Sequence, residues 1–273
     1  MRYRLLAVDL DGTLLRRDGQ VDERDIAAIR ELRDAGVRVT IVTGRLYSGA
    51  LFAANACGIA GAIACMEGSH LVEVAGKTLH HHAMTPADTS ALRSAFGNHG
   101  LASFVFEADG IHHDERGEAF AHYISTWSPR LRLVEEALDE RVWANSPLAA
   151  VAVGDEAAVV AAYGELLAHG GQLFVVKFPV WTYPGKHAIL ARAAGVNKGT
   201  ALRALCDGAG CTLAEAVAIG DWVNDVPMFE VAGRSFVMGG DTPDHVRAKA
   251  TDLLERPAGT GGGIAEAVRR AWG

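Results

Sequence analysis

The sequence predicts an α/β fold: a doubly wound parallel sheet that carries a second, smaller α/β domain as an insertion. Three observations predict it. An apolar run, an amphipathic stretch and a β-branched run follow one another within the first 42 residues, the pattern of a βαβ unit with parallel strands and a right-handed crossover. The same texture resumes near residue 188. The block between has alternating strands and helices of its own, so it reads as a domain and not as a long loop.

Taken in order, residues 5–10 form an apolar run interrupted only by Asp9 and closed by Gly12, a buried strand. Residues 21–35 place Ile26, Ile29 and Leu32 at near-helical spacing and stop at Gly36, a common helix terminator. Residues 37–42 are a β-branched run ending in Thr43-Gly44-Arg45, followed by a helix over 48–57 and a short apolar run over 61–65. In the inserted block Pro86 opens a helix, residues 101–106 and 111–114 read as strands joined through Gly110, and strand 148–153, helix 155–169 and strand 172–178 follow. The core then resumes with Asn197-Lys198-Gly199 ahead of a helix over 200–206, a buried strand over 215–220, a polar turn from Asp221, and a strand over 236–238. The expected division is residues 1–84 and 188–273 for the core and 85–187 for the insertion. The glycine-rich patch 259–263 reads as a flexible loop.

The chain's 273 residues are enough for two domains, and 49% hydrophobic with 22% charged residues is ordinary globular usage. Lys plus Arg number 26 against 33 Asp plus Glu, a net charge of −7, which argues against a binder of nucleic acid and its phosphate backbone. Asp9 and Asp11 interrupt the N-terminal apolar stretch before it reaches signal-peptide length, and no run approaches a membrane span of about 20 residues. A soluble, cytoplasmic protein with no membrane partner is the expectation. Cys57, Cys65, Cys206 and Cys211 form no CxxC pair and are expected to be reduced structural residues.

Three core strands end, on their C-terminal side, in residues that burial alone would not select: Asp9-Leu10-Asp11-Gly12-Thr13, Thr43-Gly44-Arg45 and Gly220-Asp221-Trp222-Val223-Asn224-Asp225. In an open parallel sheet those ends form the ligand crevice. Four carboxylates, Asp9, Asp11, Asp221 and Asp225, are thus expected together, which is costly unless a cation or protons intervene. Mg2+ fits best, since it takes hard oxygen ligands and pairs carboxylates with substrate phosphates, whereas no compact His/Cys set offers a zinc site. Lys198, Thr43 and the backbone N–H groups near Gly12 add donors for phosphoryl oxygens. The assembly suits phosphoryl transfer through an aspartyl-phosphate, with Asp9 as nucleophile and Asp11 as acid and then base.

On these motifs, in this order, the sequence resembles the haloacid dehalogenase-like (HAD) superfamily, in its Cof-type branch with a large inserted α/β cap. The resemblance implies a Rossmann-like core, Asp9 as nucleophile, Asp11 as acid/base and donor of a backbone carbonyl to the metal, and Thr43 and Gly44 as phosphate binders. It further implies Lys198 and Asn224 at the phosphate and Asp221 and Asp225 as the acidic pair at Mg2+. Met66-Glu67-Gly68 looks like that branch's Asn-Gly turn altered by Glu67, Trp222 replaces a small residue, and Met238-Gly239-Gly240 replaces Met-Gly-Asn. The expectation is a phosphatase acting on a small phosphorylated metabolite, with sugar phosphates as the class. A phosphotransferase or phosphomutase shares the first step and stays open. A non-catalytic phosphometabolite binder would need no paired nucleophile and proton donor, and a nucleotide oxidoreductase would need a GxGxxG after the first strand.

His80-His81-His82 alternates faces on a strand, so it is read as a solvated edge and not as a metal site. Trp127 and Trp143 are read as packing residues.

Overall fold

The computed structural model describes residues 2–273. The chain divides into two compact units, residues 1–44, 50–80 and 196–273 in the first and residues 45–49 and 81–195 in the second.

The first unit is built on a five-stranded sheet in the order Asp252–Pro257, Arg234–Gly239, Ala216–Gly220, Leu5–Val8, Arg38–Ile41, parallel throughout. Leu5–Val8 and Ala216–Gly220 are buried at every position, as strands covered on both faces must be, and this is why they read as unbroken apolar runs. Leu5–Val8 lies between Ala216–Gly220 and Arg38–Ile41, so the strand order reverses beside it and its C-terminal end opens on the switch point of the sheet. The helix Glu23–Asp34 begins at Asp22, whose side chain accepts from the Arg24 N–H, and the helix Lys198–Ala209 begins in a capping box of Asn197 and Thr200 and stops at the left-handed Gly210.

Ala62–Cys65 joins a separate three-stranded sheet with His70–Glu73 and Thr78–His81, linked to the main sheet's edge by a parallel bridge between Val42 and Ala64. Thr78–His81 is exposed along its whole length, in keeping with a solvated edge.

The C-terminal region departs from the expectation. Strand Asp252–Pro257 and helix Gly263–Trp272, neither of which the sequence pattern predicts, form on either side of the patch read as a loop. Residues 259–263 are tied down and do not hang as a flexible loop: the Gly259 N–H donates to the Gly12 carbonyl at 2.6 Å, and the buried Asp25 carboxylate accepts from the N–H groups of Gly262 at 2.7 Å and Ala265 at 2.8 Å. The glycines serve conformation here, since Gly259, Gly261 and Gly262 all take positive φ.

The second unit holds a six-stranded sheet in the order Leu173–Pro179, Lys186–Ala193, Ala149–Asp155, Ala102–Glu107, Gly110–His113, Leu131–Leu133. Successive strands pair antiparallel except for the last two, which pair parallel. Helices Pro86–Asn98 and Glu156–Ala168 cover one face, packing Leu92, Phe96, Val159 and Leu166 against Val105, Ala152 and Ile189. Lys186 to Arg192 pair residue for residue with Asp155 to Ala149, and the unit runs to Gly195. Trp143 is buried, with its indole N–H donated to the Ala137 carbonyl, and Trp127 meets Phe106 and Tyr123 edge-on, both packing roles. The four cysteines are buried and unbridged.

Candidate active site

Asp9 follows the last residue of strand Leu5–Val8 and continues its ladder, donating its N–H to the Ile219 carbonyl at 3.0 Å. The chain then turns sharply through Gly12 at φ 83, a left-handed conformation that suits glycine. Space demands glycine there as well, because a Cβ on Gly12 would lie 2.5 Å from Oδ2 of Asp221. A second glycine does the same on the neighbouring strand: a Cβ on Gly220 would lie 2.3 Å from Cγ of Asp225. Two bare backbones therefore make room for two carboxylates.

Asp9, Asp221 and Asp225 each offer an oxygen within 4.8 Å of the others. Among the described residues this is the one group of three or more His, Cys, Asp or Glu side chains able to hold a metal ion. Lys198, at the start of its helix and fully buried, donates to Oδ1 of Asp9 and to Oδ1 of Asp225, both at 2.6 Å. The other oxygen of Asp225 accepts from the N–H groups of Asp221 at 2.8 Å and Trp222 at 2.9 Å, which shapes the loop after Ala216–Gly220. The Thr13 hydroxyl donates to Oδ1 of Asp221 at 2.8 Å. A Cβ on Gly199 would strike the Pro227 carbonyl at 2.4 Å, so the helix N-terminus can approach this loop only because Gly199 follows Lys198.

The electrostatics are unbalanced. Burial would lower the Lys198 ammonium, but Asp225, Asp9 and Glu67 outweigh it and hold it well above the ordinary lysine value. One ammonium faces three carboxylates. Burial, opposed by Lys198 and reinforced by Asp225 and Asp221, holds the Asp9 carboxyl well above the usual range. Burial and then the Asp225 charge push Asp221 up to about 7, against the Thr13 bond and Lys198. A cluster of hard oxygen donors with excess negative charge, in a cradle shaped by two glycines, fits a divalent cation such as Mg2+.

The other expected residues take these positions. Thr43 is buried beyond the end of Arg38–Ile41, with its N–H donated to the Ala64 carbonyl at 2.9 Å, and Gly44 follows it. Asn224 sits in the loop after Ala216–Gly220 and donates its amide to Oε1 of Glu67 at 3.0 Å. Asp11 is exposed and its side chain lies outside the carboxylate cluster, so of the four acidic residues expected at the metal only three bring carboxylates together. A contribution from Asp11 through its backbone carbonyl needs no side chain in the cluster. Trp222 is half exposed, and Gly240 takes φ 79, a left-handed turn that the asparagine expected there tolerates less readily than glycine.

Sequence reasoning left two participants unassigned. Thr13 stood inside the first motif, and its role as partner of Asp221 depended on a contact 208 positions away. Glu67 was visible as an altered turn, with no sign that its carboxylate reaches Asn224. The turn carries strain: Met66 at φ 46 and Glu67 at φ 59 are both left-handed, a conformation worth about 1–3 kcal/mol per non-glycine residue.

Comparison with known proteins shows the family and the fold. Residues 6–268 match the family model of haloacid dehalogenase-like hydrolases. A protein of Yersinia pseudotuberculosis serotype O:1b (strain IP 31758) named HMP-PP phosphatase is 28% identical over 245 residues, covering 88% of this chain and 85% of that protein. Among solved structures, a haloacid dehalogenase-like hydrolase from Bacteroides thetaiotaomicron superposes with a TM-score of 0.85 at 21% identity, covering 98% of this chain and 99% of the other. A haloacid dehalogenase-like hydrolase from B. subtilis does so with a TM-score of 0.79 at 19% identity, covering 98% and 99%. The two structural likenesses speak to the fold.

Proposed function

The chain belongs to the haloacid dehalogenase-like hydrolases, and we propose that it is a cytoplasmic, magnesium-dependent phosphatase that hydrolyses a small phosphorylated metabolite, a sugar phosphate by class, through an aspartyl-phosphate on Asp9. One observation carries this reading: Lys198 Nζ lies 2.6 Å from both Asp9 and Asp225, with Asp221 in the same carboxylate group, so motifs from three distant stretches converge on one point. The relatives named HMP-PP phosphatase support phosphate release from a small molecule as the activity. The inserted domain, expected over 85–187, takes the role of a cap.

Asp9, Asp221 and the backbone carbonyl of Asp11, with Asp225 beside them, would hold Mg2+, which when bound supplies the positive charge that lets an anionic nucleophile meet an anionic substrate. The remaining chemistry belongs to the chain. Thr43, the Gly44 backbone N–H, Lys198 and Asn224 bind and orient the phosphoryl oxygens. A carboxylate oxygen of Asp9 forms a bond to phosphorus as the bond to the leaving oxygen breaks, and Asp11 gives its proton to that oxygen. Asp11, now a carboxylate, takes a proton from water. The resulting hydroxide attacks phosphorus, breaks its bond to Asp9 and releases inorganic phosphate, which restores both aspartates. Lys198 holds the Asp9 carboxylate in one orientation throughout.

The test is phosphate release from a broad panel of phosphomonoesters with and without Mg2+, together with acid quenching of turnover on a radiolabelled substrate. Metal-dependent release and label on the wild-type protein are expected, with neither in Asp9→Asn. Release that survives Asp9→Asn would overturn the assignment.

A further inference from the structure

The Glu67 carboxylate lies where the two loops assigned to the phosphoryl group approach each other. Strand Ala62–Cys65 ends in three left-handed residues, Met66 at φ 46, Glu67 at φ 59 and Gly68 at φ 105. Glycine takes that conformation freely and asparagine tolerates it, whereas glutamate has no local hydrogen bond to relieve it. Such a conformation persists where its surroundings over-determine it. Here two hydrogen bonds and a cleared space do so. The Glu67 N–H donates to the Thr43 carbonyl at 2.9 Å, Oε1 accepts from the Asn224 amide at 3.0 Å, and the same oxygen lies 2.9 Å from where a Cβ on Gly44 would stand. Gly44 has no positive φ to satisfy, so what its missing side chain provides is room for this carboxylate.

Glu67 thus links the loop that follows Arg38–Ile41 to the loop that follows Ala216–Gly220. It is half-buried, and its charge reaches Lys198. A carboxylate so placed accepts hydrogen bonds but donates none, and it repels any further anion nearby. We propose that Glu67 is a specificity-determining residue, which selects substrates whose leaving group presents a hydroxyl or amino donor and disfavours those with a second anionic group next to the scissile phosphoryl. The role rests on the phosphatase reading above, because it needs a phosphoryl group held by Thr43, Gly44 and Asn224.

The test compares inorganic phosphate with pyrophosphate, a phosphoryl group with an anionic neighbour, by calorimetric binding to the whole protein at fixed free Mg2+. Glu67→Gln removes the charge and keeps the oxygen that accepts from Asn224, and comparing two ligands within one variant cancels general damage to the site. Both anions should bind Glu67→Gln more tightly than wild type, pyrophosphate gaining about tenfold more than phosphate, with the gain shrinking as salt is raised. An unchanged ratio of the two affinities, with phosphate still bound, would overturn the role of Glu67 alone. No binding of either anion by the wild type would overturn the phosphate site itself and this role with it.

Discussion

The Lys198 ammonium donates to Oδ1 of Asp9 at 2.6 Å with both side chains buried, across 189 positions of sequence. A buried ion pair of this kind is weak evidence for stability while intact and costly to break by halves. Its partner count makes the point sharper, since Asp225 accepts from the same ammonium.

Lys198→Met should therefore cost about 3–5 kcal/mol, because it leaves two buried carboxylates without their cation. Urea unfolding of the metal-free variant measures this. A loss below about 1 kcal/mol would mean the carboxylates are already neutral without Lys198.

Asp9→Asn separates catalysis from folding. Burial already disfavours the charged carboxyl, and the variant relieves repulsion from Asp225 and Asp221 while Lys198 keeps Asp225 as partner. Activity should fall by about a thousandfold or more with the melting temperature unchanged or raised. Parallel thermal melts and phosphate-release assays decide it, and a variant that unfolds would contradict the charge argument.

Metal binding should depend on pH through Asp221. Its carboxyl rises from the ordinary 3.8 to about 7 in the metal-free protein, so the folded state holds this proton more tightly than the unfolded chain does. For this group, metal-free stability is greatest at low pH and is lost as pH climbs from 3.8 to about 7. A divalent cation must displace the proton. The rise in melting temperature caused by Mg2+ should accordingly grow from pH 4 to about 7 and level off above it. A rise that stays constant across this interval would exclude a protonated cluster.

Asp25→Ala should loosen the C-terminal helix. The Gly262 and Ala265 N–H groups both donate to this buried carboxylate, and each left bare costs about 1–3 kcal/mol. Asp25→Asn retains one acceptor oxygen and should fall between. Hydrogen exchange of the two amides, with denaturant unfolding, measures both effects, and unchanged protection in Asp25→Ala would show that the patch is held by other means.

Much of this was legible in order along the chain. Strands Leu5–Val8 and Ala216–Gly220 show as apolar runs because both of their faces are covered, and helix Glu23–Asp34 shows through the spacing of Ile29 and Leu32. The polar residues at the ends of those strands stand out because apolar burial would not choose them. Strand Asp252–Pro257 escaped notice because it is largely exposed and charged, a parallel edge strand held by backbone bonds to Arg234–Gly239. Lys186–Ala193 was hidden for a different reason: it is largely buried and rich in alanine, and its identity as a strand comes from its two antiparallel neighbours.

The sequence by itself determined the βαβ start of the core, the presence of an insertion and which residue types close three core strands, since these follow from local periodicity and from residues out of place in an apolar run. Only the tertiary structure decided that Lys198 bridges Asp9 and Asp225, that Gly12 and Gly220 clear space for Asp221 and Asp225, that Asp25 anchors the glycine patch, and that Glu67 reaches Asn224. The reason is physical. Propensity and pattern act over a few residues, whereas these contacts depend on where parallel pairing brings distant strand ends, and their energies exist only once burial has removed the water between them.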